Sequence, residues 1–575
     1  MTEPSPPRVM GRLFRGYGPL IGFAAVFLAI SLLVPTQAKE IVTETRAASD
    51  TEADGLAFDD TVVAAETTVP GAADPAAVAA AAEAEAKRVA GTKGSGGAKP
   101  GTPGSRRQGA AGAAANTVAT SCGAQQVPGD PYSPPCIKWG GGENGGATSK
   151  GVSKDAIKVS VRIQAFENGI TDALSRVAGT KIPNENPAMI ENTIRGVTDY
   201  FNKYYQFYGR KLQLEIYKGK GALEREILGG GQEGAQADAL KVGTEIKAFA
   251  DVSSVSPPYS DALAKQGVIN IGAPYISREY LTRLRPYSWS QLTDCSTVVE
   301  TVGSYYLAKL AGKPAVNARG DLKGKPRRTA VIGPDNSWYQ ECVRAGVKII
   351  QDGGGGGDIV MVEPYRIDLN DMVSQATSLV AKFKSAGVTT IVCGCDPILL
   401  VYMTNKANEQ QYFPEFVQTG VAFTDQDIVG QIMNQNTYGG TVGVSFAGPT
   451  VPIRGGPGYK AFKAVRPNEE PSQAADLIFY QLQLLAIGVQ MAGPNLTPDT
   501  FEAGMFKYPA RSGPAGTWKF GPGDYTTSQD AREVYFNSTA RSPQNNEPGA
   551  WIDPSNGTKR YPIGGFPPGE PPTRP

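Results

Sequence analysis

With no histidine among its 575 residues, the chain lacks the side chain most often used to move protons at neutral pH. A Ser-His-Asp triad, a Cys-His pair and an HExxH metal helix are excluded, and no convincing carboxylate pair takes their place. What remains suited to a small molecule is a set of hydroxyls, aromatic rings and single carboxylates. Ser253, Ser254 and Ser256 stand before Pro257-Pro258-Tyr259. Ser256 is placed as the N-cap of a helix with Pro257 at its first position, and such a helix start can hold an anion through hydroxyls and N–H groups. The two prolines carry no N–H, so only Tyr259 and later residues can donate from the first turn. Either the serines carry more of the load, or the ligand is not a carboxylate, or the segment is an ordinary capped helix. Tyr339, beside Trp338, leads another helix and is suited to stack on an apolar ligand part or to pack in a core. Asp396 before Pro397 is again an N-cap pattern, with contact to a ligand ammonium group as the alternative. Ala273 and Tyr275, after VINIG, allow close backbone approach or simply turn the chain.

Six cysteines fit an oxidising compartment. Cys122 and Cys136 bracket a Pro/Gly-rich loop (SCGAQQVPGDPYSPPC), where a disulfide would restrain a segment with little core of its own. Cys295, Cys342, Cys393 and Cys395 lack paired CxxC spacing, so packing or pairing is expected of them, with no metal and no cofactor. Two glycine motifs fail inspection. Gly219-Lys220-Gly221 follows a strand-like run, but Glu224 replaces the third glycine of a dinucleotide fingerprint. Gly353 to Gly357 lacks the Gly-Lys-Ser/Thr ending of a phosphate loop and reads as a loose turn.

Lysine plus arginine number 56 and aspartate plus glutamate 55, a formal charge of +1, so no global field points to nucleic acid. Arg8, Arg12 and Arg15 precede the apolar run Pro19 to Val34, the positive flank and hydrophobic core of an export segment. Residues 1–38 are therefore read as a signal peptide cleaved near Ala38 or as a membrane anchor, with the rest of the chain outside the cytoplasm. No cysteine occurs before Cys122, which excludes a lipid-modified cysteine close behind the apolar run and favours the anchor. Residues 39–150, rich in Ala, Gly and Pro, lose hydrophobic periodicity and read as a linker. As a flexible coil it would reach roughly 60 Å. Residues 541–575 are again Pro/Gly-rich and read as a poorly ordered tail or a surface wrap.

Between these ends strand and helix alternate. AIKVSVRIQA (Ala156 to Ala165) is of strand type, and Ile194, Val197, Tyr200, Phe201, Tyr204, Tyr205 and Tyr208 then recur at helical spacing before Gly209. KLQLEIY, a helix over roughly 236–249, short strands near 250–253 and 268–271 and a helix between them complete a β-α-β-α unit. The rhythm restarts after 297–310, with strands predicted at 329–332, 359–362 and 389–392, helices at 342–350 and 397–407, and one helix face made of Met372, Val373, Ala376, Leu379, Val380 and Phe383. Two successive α/β units imply two lobes, and ligands of open α/β sheets sit outside the carboxyl ends of the strands.

The second unit resembles the second lobe of the type I solute-binding proteins of ABC transporters, the leucine/isoleucine/valine-binding group. The match lies in the order of features: a strand, an Asp-x-x-x-Tyr loop (Asp335 to Tyr339), a helix, a Gly-rich turn, an acidic strand end at Glu363 and Asp371 opening a helix. SGPAGTWKFGPGDYTTSQDAREVYFN resembles the same family's closing Gly-x-x-x-Phe hairpin and returning strand. The resemblance runs from about Gly151 to Asn537. It implies two Rossmann-like lobes joined by three crossover segments, with residues 151–290 and 430–510 in one lobe and 291–429 and 511–540 in the other. It also implies hinge closure over a small polar ligand such as an amino acid or amide, reading of the closed state by ABC permease subunits, and no catalysis. The family holds its ligand from the loop at Ser253, Ser254, Ser256 and Tyr259, from the loop at Ala273 and Tyr275, from the aromatic matched by Tyr339, and near Gln164 after the first strand, where a long segment from Glu167 to Asn186 intervenes. A membrane-tethered sensor or scaffold using the same fold to regulate an envelope protein is the other class the resemblance allows.

Overall fold

The computed structural model describes residues 122–163, 187–227 and 229–573. The expected anchor, most of the linker, and Gln164 with Phe166 and Glu167 lie outside the described residues. The first sheet begins with β1 (Ala156–Ile163), whose residues are nearly all buried because it lies inside the sheet and is covered on both faces. Helix α1 (Pro187–Tyr204) buries Ile190, Ile194, Val197 and Phe201 on one face, at the spacing the sequence predicts. Gly209, at φ 83°, turns the chain into β2 (Lys211–Lys218). Helices α2 (Leu223–Ile227) and α3 (Gln232–Leu240), strand β3 (Ala250–Asp251), helix α4 (Pro257–Lys265), strand β4 (Ile269–Ile271), helix α5 (Arg278–Arg283) and strand β5 (Ser288–Trp289) follow. The strands form a five-stranded parallel sheet in the order β2-β1-β3-β4-β5.

The second lobe opens with α6 (Cys295–Lys309) and continues through β6 (Thr329–Pro334), α7 (Ser337–Ile350), β7 (Ile359–Tyr365), α8 (Met372–Ser385), β8 (Thr390–Cys393), α9 (Pro397–Glu409), β9 (Glu415–Gln418), α10 (Asp427–Ile432), α11 (Gln435–Tyr438) and β10 (Val442–Ser445). The chain then returns to the first lobe with α12 (Pro457–Lys463), α13 (Ala475–Ala492) and α14 (Pro498–Phe506), forms the hairpin β11 (Arg511–Gly513) and β12 (Gly516–Trp518), and ends in the second lobe with β13 (Asp530–Arg541), β14 (Pro548–Ile552) and β15 (Tyr561–Pro562). The second sheet has eight strands, in the order β14-β13-β10-β9-β8-β6-β7 with β15 paired to β13. Three crossings join the lobes, between Trp289 and Cys295, between Ser445 and Pro457, and between Trp518 and Asp530. Helix α13 is long and apolar enough to span a membrane, yet most of it is buried, and it packs against α1 and β4 as a core helix of the first lobe.

Four expectations are corrected. Residues 430–510 do not all return to the first lobe, because β10 is a fully buried strand paired with β9 and β13 in the second sheet. Residues 541–575 are not a loose tail. Strand β14 pairs with β13, while Trp551 and Phe566 are buried, so the segment covers the outer edge of β13, whose other edge is paired with β10. The linker expected over 39–150 gives way to packed chain from Cys122 onward. Val373 is exposed although its helix face otherwise packs as expected.

Cys122 and Cys136 are joined, and the loop between them inserts Tyr132 beside the last crossing. Its ring stacks on Trp518 with centroids 4.1 Å apart, its hydroxyl donates to the Gly516 carbonyl at 2.9 Å, and its own carbonyl accepts from the Tyr508 hydroxyl at 2.8 Å. Tyr132 is 1% exposed. Replacing it with alanine is expected to cost about 3 to 5 kcal/mol in urea denaturation, whereas Tyr132→Phe, which loses only the hydroxyl bond, costs about 1 kcal/mol.

Candidate functional site

The first lobe's carboxyl edge is organised by a charge. Arg162, near the end of β1, is fully buried, and a guanidinium without water must be paired. Glu226 of α2 takes it bidentately at 2.9 and 2.8 Å, Asp238 of α3 accepts from it at 3.2 Å, and the Tyr259 ring lies 3.5 Å from its central carbon. Burial works against the cation, but the Glu226 carboxylate outweighs it and holds the guanidinium above its ordinary pKa. Gly219 and Gly221, which failed as a nucleotide motif, have a different purpose. A Cβ on Gly221 would stand 2.2 Å from a Glu226 oxygen and 2.8 Å from the Arg162 guanidinium.

This cluster absorbs the hydroxyls expected to hold a ligand. Ser256 does occupy the N-cap position of α4, yet its side chain makes no cap bond and donates to Glu226. Ser253 donates to Asp251 at 2.7 Å and accepts from the Arg162 backbone N–H at 2.7 Å. Ser254 donates to Asn270 at 3.3 Å, and the Tyr259 hydroxyl donates to Asp251 at 3.0 Å. Burial pushes the Asp251 carboxyl above its ordinary pKa, and the hydrogen bonds from Ser160 and Ser253 pull it back. All four residues are buried, as is Ala273, and none of the five lines the cavity between the lobes. Strand patterning reads Arg162 as one of the alternating polar positions Lys158, Ser160 and Arg162, whereas the fold covers it with α2, α3 and α4.

The cavity itself, about 490 Å³, lies where the carboxyl ends of both sheets face each other. From the first lobe it is walled by Leu223 and Ile227 of α2, Val255, and Pro274 with Tyr275. From the second it is walled by Tyr339, Tyr365, Asp396, Thr419 and the Ala422-Phe423 turn. Of the residues singled out from sequence, Tyr275, Tyr339 and Asp396 are thus brought together, while Trp338 packs against the core. Asp396 caps α9 by accepting from the N–H groups of Ile398 at 2.8 Å and Leu399 at 3.1 Å, and it also accepts from the Tyr365 hydroxyl at 2.8 Å. Burial raises its carboxyl above the ordinary range, and the Tyr365 hydroxyl opposes that rise. The remaining cysteines pair at the same site, Cys295 with Cys342 across the first turns of α6 and α7, and Cys393 with Cys395 immediately before Asp396. Among the described residues no cluster of acidic or cysteine side chains is arranged to hold a metal.

Two contacts cross the cleft. Tyr275 packs with Val421 against the apolar cluster of the second lobe, and burial, the largest influence, holds its hydroxyl above its ordinary pKa. The Asn336 amide donates to the Ile227 carbonyl at 3.0 Å. Tyr275, Ala422 and Phe423 have φ of 57°, 50° and 59°, a left-handed conformation that costs a non-glycine residue energy and persists only where surroundings impose it. No pattern in the sequence marks the Ala422-Phe423 turn.

A second cavity of about 730 Å³ lies beside the crossings, walled by the 127–132 loop, by α1, α12 and α13, and again by Tyr275 and Phe423. Asp130 at its edge is pushed up from 3.8 to about 6 by burial, against hydrogen bonds from the Tyr132 N–H, the Tyr205 hydroxyl and the Gln483 amide. The folded chain therefore holds a proton that the unfolded chain releases. Stability from this group is greatest below the lower value and falls as the pH rises through the upper one. Asp130→Asn is expected to flatten that decline in melting temperatures measured between pH 3.8 and about 6. Glu226→Gln, which leaves the buried Arg162 with Asp238 as its remaining carboxylate, is expected to cost about 3 to 5 kcal/mol by chemical denaturation.

Two α/β lobes with parallel central sheets, three crossings and a cavity between facing strand ends define the periplasmic-binding-protein fold. The chain belongs to the periplasmic binding protein family, which it matches over residues 188–541. Similar solved structures include an ABC transporter solute-binding protein from Rhodopseudomonas palustris BisB5 in complex with 3,4-dihydroxybenzoic acid, at 12% identity and a TM-score of 0.48, covering 71% of this chain and 98% of that one. The branched-chain amino acid substrate-binding protein LivJ from Streptococcus pneumoniae, in complex with isoleucine, is 16% identical with a TM-score of 0.47, covering 70% and 100%. An ABC transporter substrate-binding protein from Aeropyrum pernix is 13% identical with a TM-score of 0.48, covering 71% and 96%. Comparison with curated proteins gives no match.

Proposed function

We propose that this chain is the extracytoplasmic solute-binding component of an ABC importer, capturing a small molecule between its lobes and presenting it to permease subunits without catalysis. One observation carries the reading: a single cavity is walled by the carboxyl-end loops of both sheets, so a molecule bound there contacts both lobes at once. Such contacts favour the closed arrangement by the difference in affinity between closed and open states, and among the described residues the three crossings are the covalent links that must bend. The positive flank and apolar run at the N-terminus supply export and, if uncleaved, a membrane tether. The chain has no histidine and Asp396 is committed to a helix cap, which supports binding without proton transfer.

Recognition in this site differs from what the serine loop suggests. Ser253, Ser254 and Ser256 are spent inside the first lobe, and Pro257 and Pro258 offer no N–H, so polar contact falls to Arg225 and Tyr275 from that lobe and to Tyr339, Tyr365, Asp368, Asn370, Asp396 and Thr419 from the other. A ligand with one polar end, such as an amino acid, an amide or an aromatic acid, meets this set. A thermal-shift series on the full chain with those three classes tests the assignment. A ligand at ~100 times its dissociation constant adds about 2.7 kcal/mol of stability. One class is expected to raise the melting temperature, and Tyr339→Ala to abolish that rise while leaving the empty protein's melting nearly unchanged. A rise of the same size in Tyr339→Ala would place binding elsewhere.

A further inference from the structure

We propose that the interlobe site continues into an apolar channel within the second lobe, between α6, α7 and the sheet, that takes the straight alkyl chain of an amphipathic ligand. This rests on the solute-binding reading above and names the ligand class it would serve. The cavity does not end at the strand tips. On α6 it is lined by Val298, Val299 and Val302, which with Cys295 and Gly303 follow the i, i+3, i+4, i+7, i+8 spacing of one helix face. On α7 it is lined by Val343, Val347 and Ile350, again on the face shared with Cys342 and Gly346. Val331 of β6 and Val392 of β8 close the side formed by the sheet. From Cys342 to Ile350 the lining advances eight residues along the helix, about 12 Å at 1.5 Å per residue, deeper than a leucine side chain or a single aromatic ring would fill.

The chemistry of this extension is uniform. Past the Cys295–Cys342 disulfide every side chain from α6 and α7 that lines the cavity is apolar, and the two glycines present no side chain at all. An ammonium, carboxylate or amide pushed into it would lose its hydrogen bonds to water without replacement, and apolar cavities of this kind favour hydrocarbon over water. Its width is set by close helix contact. A Cβ on Gly303 would approach Ile349 to 2.7 Å and one on Gly346 would approach Val299 to 3.1 Å. The helices therefore touch through their glycines, and the space beside that contact is walled by valine and isoleucine side chains. The disulfide ties the two helices together at the cleft end, where Tyr339, Tyr365 and Thr419 are placed to meet a polar head group.

The test is calorimetric titration of the full chain with straight-chain carboxylates, amines and alcohols of increasing length, alongside leucine and 4-hydroxybenzoate. Affinity in the alkyl series is expected to rise about fourfold per added methylene until the chain reaches Ile350, and then to level. Val347→Phe is expected to move that levelling to chains at least two carbons shorter. Ile350→Ala, which opens the far end and does not depend on a larger ring being accommodated, is expected to move it to longer chains. If leucine or 4-hydroxybenzoate binds while the alkyl series shows no dependence on length, or the levelling point stays the same in both variants, the channel assignment is overturned and the solute-binding reading stands. If amino acid, aromatic acid and every alkyl probe all fail to bind, both readings fall together.

Discussion

A guanidinium sealed from water at the end of β1 dictates much of what surrounds it. Arg162 can stay inside the first lobe only because carboxylates from α2 and α3 reach it and the Tyr259 ring of α4 covers it. Those requirements draw three helices onto one sheet edge, set glycines where the ion pair needs room, and engage the serine hydroxyls of the β3–α4 loop. A buried pair of this kind adds little net stability over an apolar replacement, but breaking it on one side is costly. Its effect on function is indirect. With the polar groups of the loop spent on the lobe's own interior, the interlobe cavity is left with Arg225, tyrosine hydroxyls, the carboxylates of Asp368 and Asp396 and a large area of valine.

The second lobe shows the complementary arrangement. Its cavity walls come from helix and strand faces whose valines also belong to the lobe's buried core, and its two disulfides both lie at the cavity: one ties α6 to α7, the other braces the turn before Asp396. Both restrain the site's geometry in a compartment where thiols oxidise. Buried charge is used in both lobes, Arg162 with Glu226 in the first and Arg327 with Glu415 in the second, and the second adds covalent links at the ligand site itself.

Much of the framework was legible in the sequence because it depends on local rules. β1, α1, α8 and β8 follow from apolar periodicity, and the lobe order follows from the alternation of strand and helix. β10 was misassigned because VGVS carries no sign of which sheet it joins; that is decided by its pairing with β9 and with β13, far along the chain. The C-terminal segment was read from its prolines and glycines, which hide the few residues, Trp551 and Phe566 among them, that bury it. At the site, Tyr275, Tyr339 and Asp396 were recognisable because each sits at the start of a helix or just after a strand. The serines were misplaced for the converse reason. Their spacing is that of a ligand loop, but the partners that claim them, Glu226, Asp251 and Asn270, come from elsewhere in the lobe and carry no motif.

The three crossings have a consequence for how the molecule is made. Neither lobe is a continuous stretch of chain. The first is without its central helix until residue 492 has been added, and the second is without β13 and β14 until residue 552. A polypeptide appearing from its N-terminus therefore carries two unfinished sheets almost to the end of its synthesis or passage, each with an open apolar face. Contacts this distant in sequence form slowly, so the final collapse of both lobes waits for the C-terminal segments.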